Sequence, residues 1–220
     1  MLPQPVDQQA DQEPEQVTGR PLTAAIGTTR DAVHDVLDRP EADALTCHKG
    51  IARLSGHLAV MCRTVYPRAG HWPGIGVQLK GACLSRAREV QWTARALECH
   101  LSGCTSAAGR PVLAVSAALG RQLGEYWAHE RELVDWIEGH LDEAGQERLA
   151  GTYWRALRQA PTRPHPRCPR SGPLRHAAFW WHGQWDRLLD GLDSRAGVGR
   201  DFAAVLAQPL AQPPAAGKQG

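Results

Sequence analysis

Apolar residues in this chain return at every third or fourth position through several long segments, and no stretch of four to eight residues alternates as a strand would. Cys47, Ile51, Leu54, Leu58, Met61, Cys62 and Val65 form one such stripe, and Cys83, Ala87, Val90, Ala94, Leu97 and Leu101 form a second. Leu119, Leu123, Tyr126, Leu133 and Ile137 form a third. A stripe of this period has one face to bury, and packing against other helices is the simplest way to bury it. Proline and glycine separate the stripes at Arg39-Pro40, Tyr66-Pro67, RAGHWPGIG, Gly103 to Pro111 and QAPTRPHPRCPRSGP. The pattern predicts helices at 22–38, 41–66, 76–102, 112–140, 142–159 and 173–190. Long helices joined by short loops become antiparallel neighbours. The expected fold is therefore all-α, an antiparallel four-helix bundle with an additional C-terminal amphipathic helix.

The same reading divides the chain into a disordered tail at 1–20, a bundle at 21–160 and a Pro-rich connection at 161–172. An amphipathic helix docking on the bundle at 173–192 and a flexible tail at 193–220 complete it. The first twenty residues are rich in Gln, Pro, Asp and Glu and have too little apolar surface to bury a core. They have neither a basic start nor an apolar centre, so a secretory signal is not expected there. No apolar run approaches the roughly 18 residues of a membrane span, and a cytoplasmic protein is expected. The net charge of +2 favours no electrostatic partner. Six cysteines, at 47, 62, 83, 99, 104 and 168, contain no C-x-x-C pair and read as small reduced hydrophobes. Cys99, His100 and Cys104 lack the second pair that a structural zinc needs.

One polar residue breaks the third stripe. Glu130 lies about 40° from Tyr126 on the helical wheel, in the middle of an apolar face. An inward carboxylate costs several kcal/mol unless it is hydrogen-bonded, protonated, paired or bound to a metal. Tyr126, one turn earlier, is a candidate partner, and Gln91 and Glu98 are others. The alternatives are a hydrogen-bonded or protonated glutamate that fixes helix register and a residual metal ligand. His57 falls at the edge of the first stripe beside Met61, and His48 at its opposite edge, so the two cannot share an ion. Both are expected at a partly solvated boundary, with His129 exposed or wedged between helices.

The stretch HLAVMCRTVYP resembles the metal helix of hemerythrin-like (HHE cation-binding) bundles, which reads His-x-x-x-Glu and ends in an aromatic-Pro pair. His57 matches the histidine and Tyr66-Pro67 the ending, while Met61 stands where the glutamate would be. YWAHERELVDWIEGHL resembles the last bundle helix of that family, with Tyr126 at a ligand histidine and Glu130 at a ligand glutamate. A shifted registration places His129 and Leu133 there instead; the first is preferred because it turns Glu130 inward. SGHLAVMC, ARAREVQWTAR and APTRPHPRCPRSGPLRHAAFWWHGQWDRLL are similar to stretches of a diverged set of hemerythrin-like proteins from GC-rich actinobacteria. The likeness covers roughly residues 45–190, and APTRPHP is its most specific piece. It implies a hemerythrin-like bundle with degenerate metal ligands. No metal ligand is assigned firmly; His57 and Glu130 are the residual candidates, and two ligands on separate helices do not hold two irons.

The last predicted helix puts Leu174, Ala178, Trp181, Trp185, Leu188 and Leu192 on one side, read as the face that docks on the bundle, with Arg175, His182 and Asp186 elsewhere. Six arginines and no acid lie between Trp154 and Trp185. A membrane or protein-partner surface is the next reading of that segment, ahead of nucleic acid. No G-x-S-x-G occurs, and GIGVQLKG is not a G-x-G-x-x-G cradle. The expected function is that of a non-enzymatic hemerythrin-like protein without a resident cofactor. It would act as an interaction or sensing module with an unspecified protein partner, without nucleic acid. The alternative is an iron-binding oxygen or redox sensor that uses a residual site.

Overall fold

Asp43 sets the start of the second helix, because its carboxylate accepts the Thr46 N–H at 2.7 Å and so satisfies one of the donors that a helix leaves open. Asp142 does the same for a later helix through Gly145 N–H at 2.8 Å. Apart from turns at 70–74 and 139–142 and the connection at 158–167, nearly all of the described residues are helical. The computed structural model describes residues 21–37, 43–103, 112–167 and 174–192. The predicted tails at 1–20 and 193–220, Cys104 and Cys168 lie outside the described residues. The elements are α1 (Pro21–Leu37), α2 (Ala44–Val60), a π turn (Met61–Val65), α3 (Tyr66–Ala69), α4 (Ile75–Leu101), α5 (Val112–Glu138), α6 (Glu143–Leu157) and α7 (Leu174–Leu192). No strand occurs among the described residues, and no helix there is long and apolar enough to cross a membrane. The all-α expectation is met.

The longest helices are α4 and α5, 27 residues each, or about 40 Å at 1.5 Å per residue. They pack along each other, α1 packs on α2, and α6 lies against α1, α2 and the π turn. The core has two apolar halves. One gathers Leu54, Leu58, Val90, Leu97, Leu119 and Leu123 from α2, α4 and α5. The other gathers Leu22, Met61, Val65, Leu133, Ile137 and Leu157 from α1, the π turn, α5 and α6. The start of α1 is fixed by Glu138 at the far end of α5. That carboxylate accepts the Leu22 and Thr23 N–H groups, each at 3.0 Å, and the Thr23 hydroxyl at 2.5 Å. It is an anion on a helix N-terminus, satisfied although nearly buried.

Two expectations are corrected here. The second helix does not stop at Tyr66-Pro67. Tyr66 N–H bonds back to Met61 C=O, a five-residue step, and the widened turn lets the chain continue helically to Ala69 with Pro67 in a fresh first turn. The break the proline requires is absorbed by the π turn. The second correction concerns α7. Trp181 and Trp185 are 61% and 49% exposed, and Leu174 and Leu188 are exposed as well. The docked face is instead Phe179, Gly183, Asp186 and Asp190. Periodicity counts only apolar residues, whereas the two aspartates are drawn inward by donors of the Pro-rich connection. Asp186 accepts Arg163 N–H at 2.9 Å and meets His165 Nε2 at 3.0 Å. Asp190 accepts the Thr162 hydroxyl at 2.5 Å and the Arg163 guanidinium at 3.0 Å. Gly183 allows the close approach, since a Cβ there would clash with Gln159 C=O. Phe179 completes the contact under the Arg63 guanidinium, 4.5 Å from its ring centre.

Candidate functional site

Four long-range side chains meet where the two apolar halves join. His57 is carried by the last turn of α2, Tyr126 and Glu130 by successive turns of α5, and Tyr153 by α6. His57 Nε2 lies 2.6 Å from Glu130 Oε1, and His57 Nδ1 lies 2.8 Å from the Tyr153 hydroxyl. The Tyr126 hydroxyl donates to Glu130 Oε1 at 2.6 Å, and Tyr66, brought inward by the π turn, reaches Tyr126 at 3.0 Å. At the other end the Tyr153 hydroxyl donates to Thr29, which donates to Ala25 C=O in its own helix. Each of these side chains is nearly or fully buried.

The proton directions follow from this order. Tyr153 spends its hydrogen on Thr29, so its oxygen is an acceptor toward His57 Nδ1. Glu130 Oε1 already accepts from Tyr126 and is an acceptor toward Nε2. Both ring nitrogens of His57 therefore have a partner, and the cluster leaves neither of them open. Burial pushes the Tyr66, Tyr126 and Tyr153 hydroxyls well above their ordinary range. For Tyr126 the Glu130 charge acts in the same direction. All three stay protonated as donors. Aromatic faces complete the enclosure, with Trp127 5.1 Å and Tyr126 6.1 Å from the His57 ring centre.

His57 and Glu130, both singled out from sequence, thus converge in direct contact. The expectation that His57 sits at a partly solvated edge is overturned, since it is 0% exposed. The reason is that α2 is covered by α1, α4 and α6, so the edge of its apolar stripe also faces protein. His48 is buried too, whereas His129 is half-buried and turns Nδ1 to Glu125 C=O of its own helix at 2.8 Å. Gln91 and Glu98 do not join the cluster. Both are buried, and Glu98 pairs with Arg95 at 2.8 Å. Tyr66, Tyr153 and Thr29 were not anticipated. Tyr66 marks a helix end in the sequence, and Tyr153 and Thr29 belong to helices for which the sequence singled out no face.

As a donor set for iron the cluster fits poorly. Both His57 nitrogens are engaged, Met61 is a fully buried thioether, and Tyr126 offers a hydroxyl already committed to Glu130. Among the described residues no group of three or more His, Cys, Asp or Glu is placed to hold a metal ion. A narrow cavity of about 200 Å³ between α1 and α5 reaches Glu130, with Trp127, Arg30 and Arg131 on its walls. No protein-family model matches the chain, and no curated protein or solved structure matches it.

Proposed function

We propose that the chain is a non-enzymatic, hemerythrin-like bundle protein with a degenerate di-iron site, working as an interaction or sensing module. The observation that supports this most is the engagement of both His57 nitrogens, by Tyr153 and Glu130. In the resemblance drawn from sequence these positions belong to a metal centre; in this chain they are joined to one another by hydrogen bonds. Met61 and Tyr126 stand at two of the ligand positions, and neither serves iron as a carboxylate or an imidazole would. The additional C-terminal helix, with its outward tryptophans, supplies surface for a partner protein.

A second reading is favoured by one distance. His57 Nε2 and Glu130 Oε1 are 2.6 Å apart although 73 residues separate them in sequence. An iron-binding oxygen or redox sensor would start from that pair, breaking its hydrogen bond and recruiting a third ligand. Thermal unfolding with and without ferrous iron tests the choice. A ligand that binds only the folded state raises its stability by mass action. The proposal predicts an unchanged melting temperature under anaerobic ferrous iron. An increase that disappears in Glu130→Ala would favour the sensor.

A further inference from the structure

Away from the core cluster, a surface cavity of about 500 Å³ opens between α4, the Pro-rich connection and α7. Its size is within the range of small-molecule sites. Its walls combine two features. Trp92 of α4 and Trp185 of α7 both line it, and each leaves nearly half of its surface in water. Arg95, Arg163 and Arg167 line it too, with Asp186 as the carboxylate among its lining residues.

That carboxylate is already answered. Asp186 is fully buried, and its oxygens take the Arg163 N–H and His165 Nε2. Arg163 is turned to Asp190. Arg95 and Arg167 are the other guanidinium groups on the wall: Arg95 is about half exposed with one nitrogen on Glu98, and the Arg167 guanidinium lies 5.8 Å from the Trp92 ring centre. His182 forms part of the wall and is stacked on His165 at 3.9 Å. In its described part the connection is restricted by Pro164 and Pro166 and tied to α7 by two buried aspartates. The cavity therefore combines aromatic and cationic side chains on its walls.

Flat aromatic groups stack on indole, and guanidinium groups take carboxylate or phosphate oxygens in a forked geometry. We propose that this cavity binds a planar aromatic anion, its ring on Trp92 and Trp185 and its phosphate or carboxylate on Arg95 and Arg167. The site is independent of the core cluster and does not rest on the reading of that cluster.

Calorimetric titration of the full chain with 1-naphthyl phosphate tests the proposal, with 1-naphthol and inorganic phosphate as its separate halves. Saturable binding of one 1-naphthyl phosphate per chain is expected, at least about tenfold tighter than either half, since ring and anion are held at once. Trp185→Ala and Arg167→Ala should each weaken it about tenfold or more, the loss of one stacking or charged contact. Both residues are exposed, so each variant should keep the parent's circular dichroism and melting temperature. Trp180→Ala, exposed on the same helix but not on the cavity wall, should bind as the parent does. Absence of saturable binding, equal affinity for 1-naphthol, or parent-like affinity in both cavity variants would overturn the proposal.

Discussion

Glu130 shows how one side chain can organise a core. It holds His57 on one side and Tyr126 on the other, and removing it leaves a buried imidazole without its carboxylate. Breaking one partner of a buried pair destabilises by about 3–5 kcal/mol, whereas replacing both by apolar groups is often near neutral. Urea unfolding should therefore show a loss of about 3–5 kcal/mol in Glu130→Ala. The double variant His57→Leu, Glu130→Leu should lose less than the two single leucine variants combined. Additive losses would mean that the two side chains do not act as a pair. Thiol chemistry offers a second check at this scale. Burial, with Glu130 adding to it, pushes the Cys83 thiol up to about 12, and its Sγ donates to His129 C=O at 3.3 Å. Cys83 should remain unmodified by iodoacetamide in the folded chain at about pH 8, and react once the chain is unfolded. Peptide mapping of labelled cysteines reads this directly; labelling of the folded chain at Cys83 would contradict its placement.

At the scale of the element, α7 is held by a polar seam rather than an apolar stripe. Gly183 is its closest approach, and Gly183→Ala would force the helix away from Gln159 C=O, a strain of about 1–3 kcal/mol. A shift in tryptophan fluorescence together with a lower urea midpoint would report it. The seam is also sensitive to pH. Burial pushes the His182 imidazole below its ordinary value of 6.5, and the neighbouring His165 adds to this while Asp186 opposes it. A proton then binds the unfolded chain more readily than the folded one. The stability His182 contributes is present above the unfolded value of 6.5 and is lost as pH falls through the lower folded value. His182→Gln should therefore lose less stability than the parent between about pH 7 and about pH 5. A steeper loss in the variant would reverse the sign. The helices themselves were legible in the sequence to within a few residues, because period and prolines both mark them. The face that α7 buries was not, because its anchors are aspartates whose partners lie 21 to 28 residues away. The π turn was hidden for a similar reason, since a proline in sequence announces a break but not how a helix absorbs it.

In the molecule as a whole, two apolar halves are joined by a polar cluster at the place where α1, α2, α5 and α6 come together. Sequence reasoning found three of its members, Glu130 because a charge interrupts an apolar face, Tyr126 because it lies one turn before that charge, and His57 because it begins a familiar helix. It missed Tyr66, Tyr153 and Thr29, because a hydroxyl at the edge of an apolar pattern looks ordinary until its partner is known. The cluster accounts for the proposed loss of metal chemistry, while the cavity beside α7 offers a separate place for a ligand. Iron content, measured by mass spectrometry on chain purified without chelators and reconstituted with ferrous iron, tests the central claim most directly. A cluster whose nitrogens and carboxylate are mutually engaged predicts less than about 0.1 iron per chain and no oxygen-dependent absorption band. Near-stoichiometric iron, lost in Glu130→Ala, would contradict it and make oxygen or redox binding the function of the core.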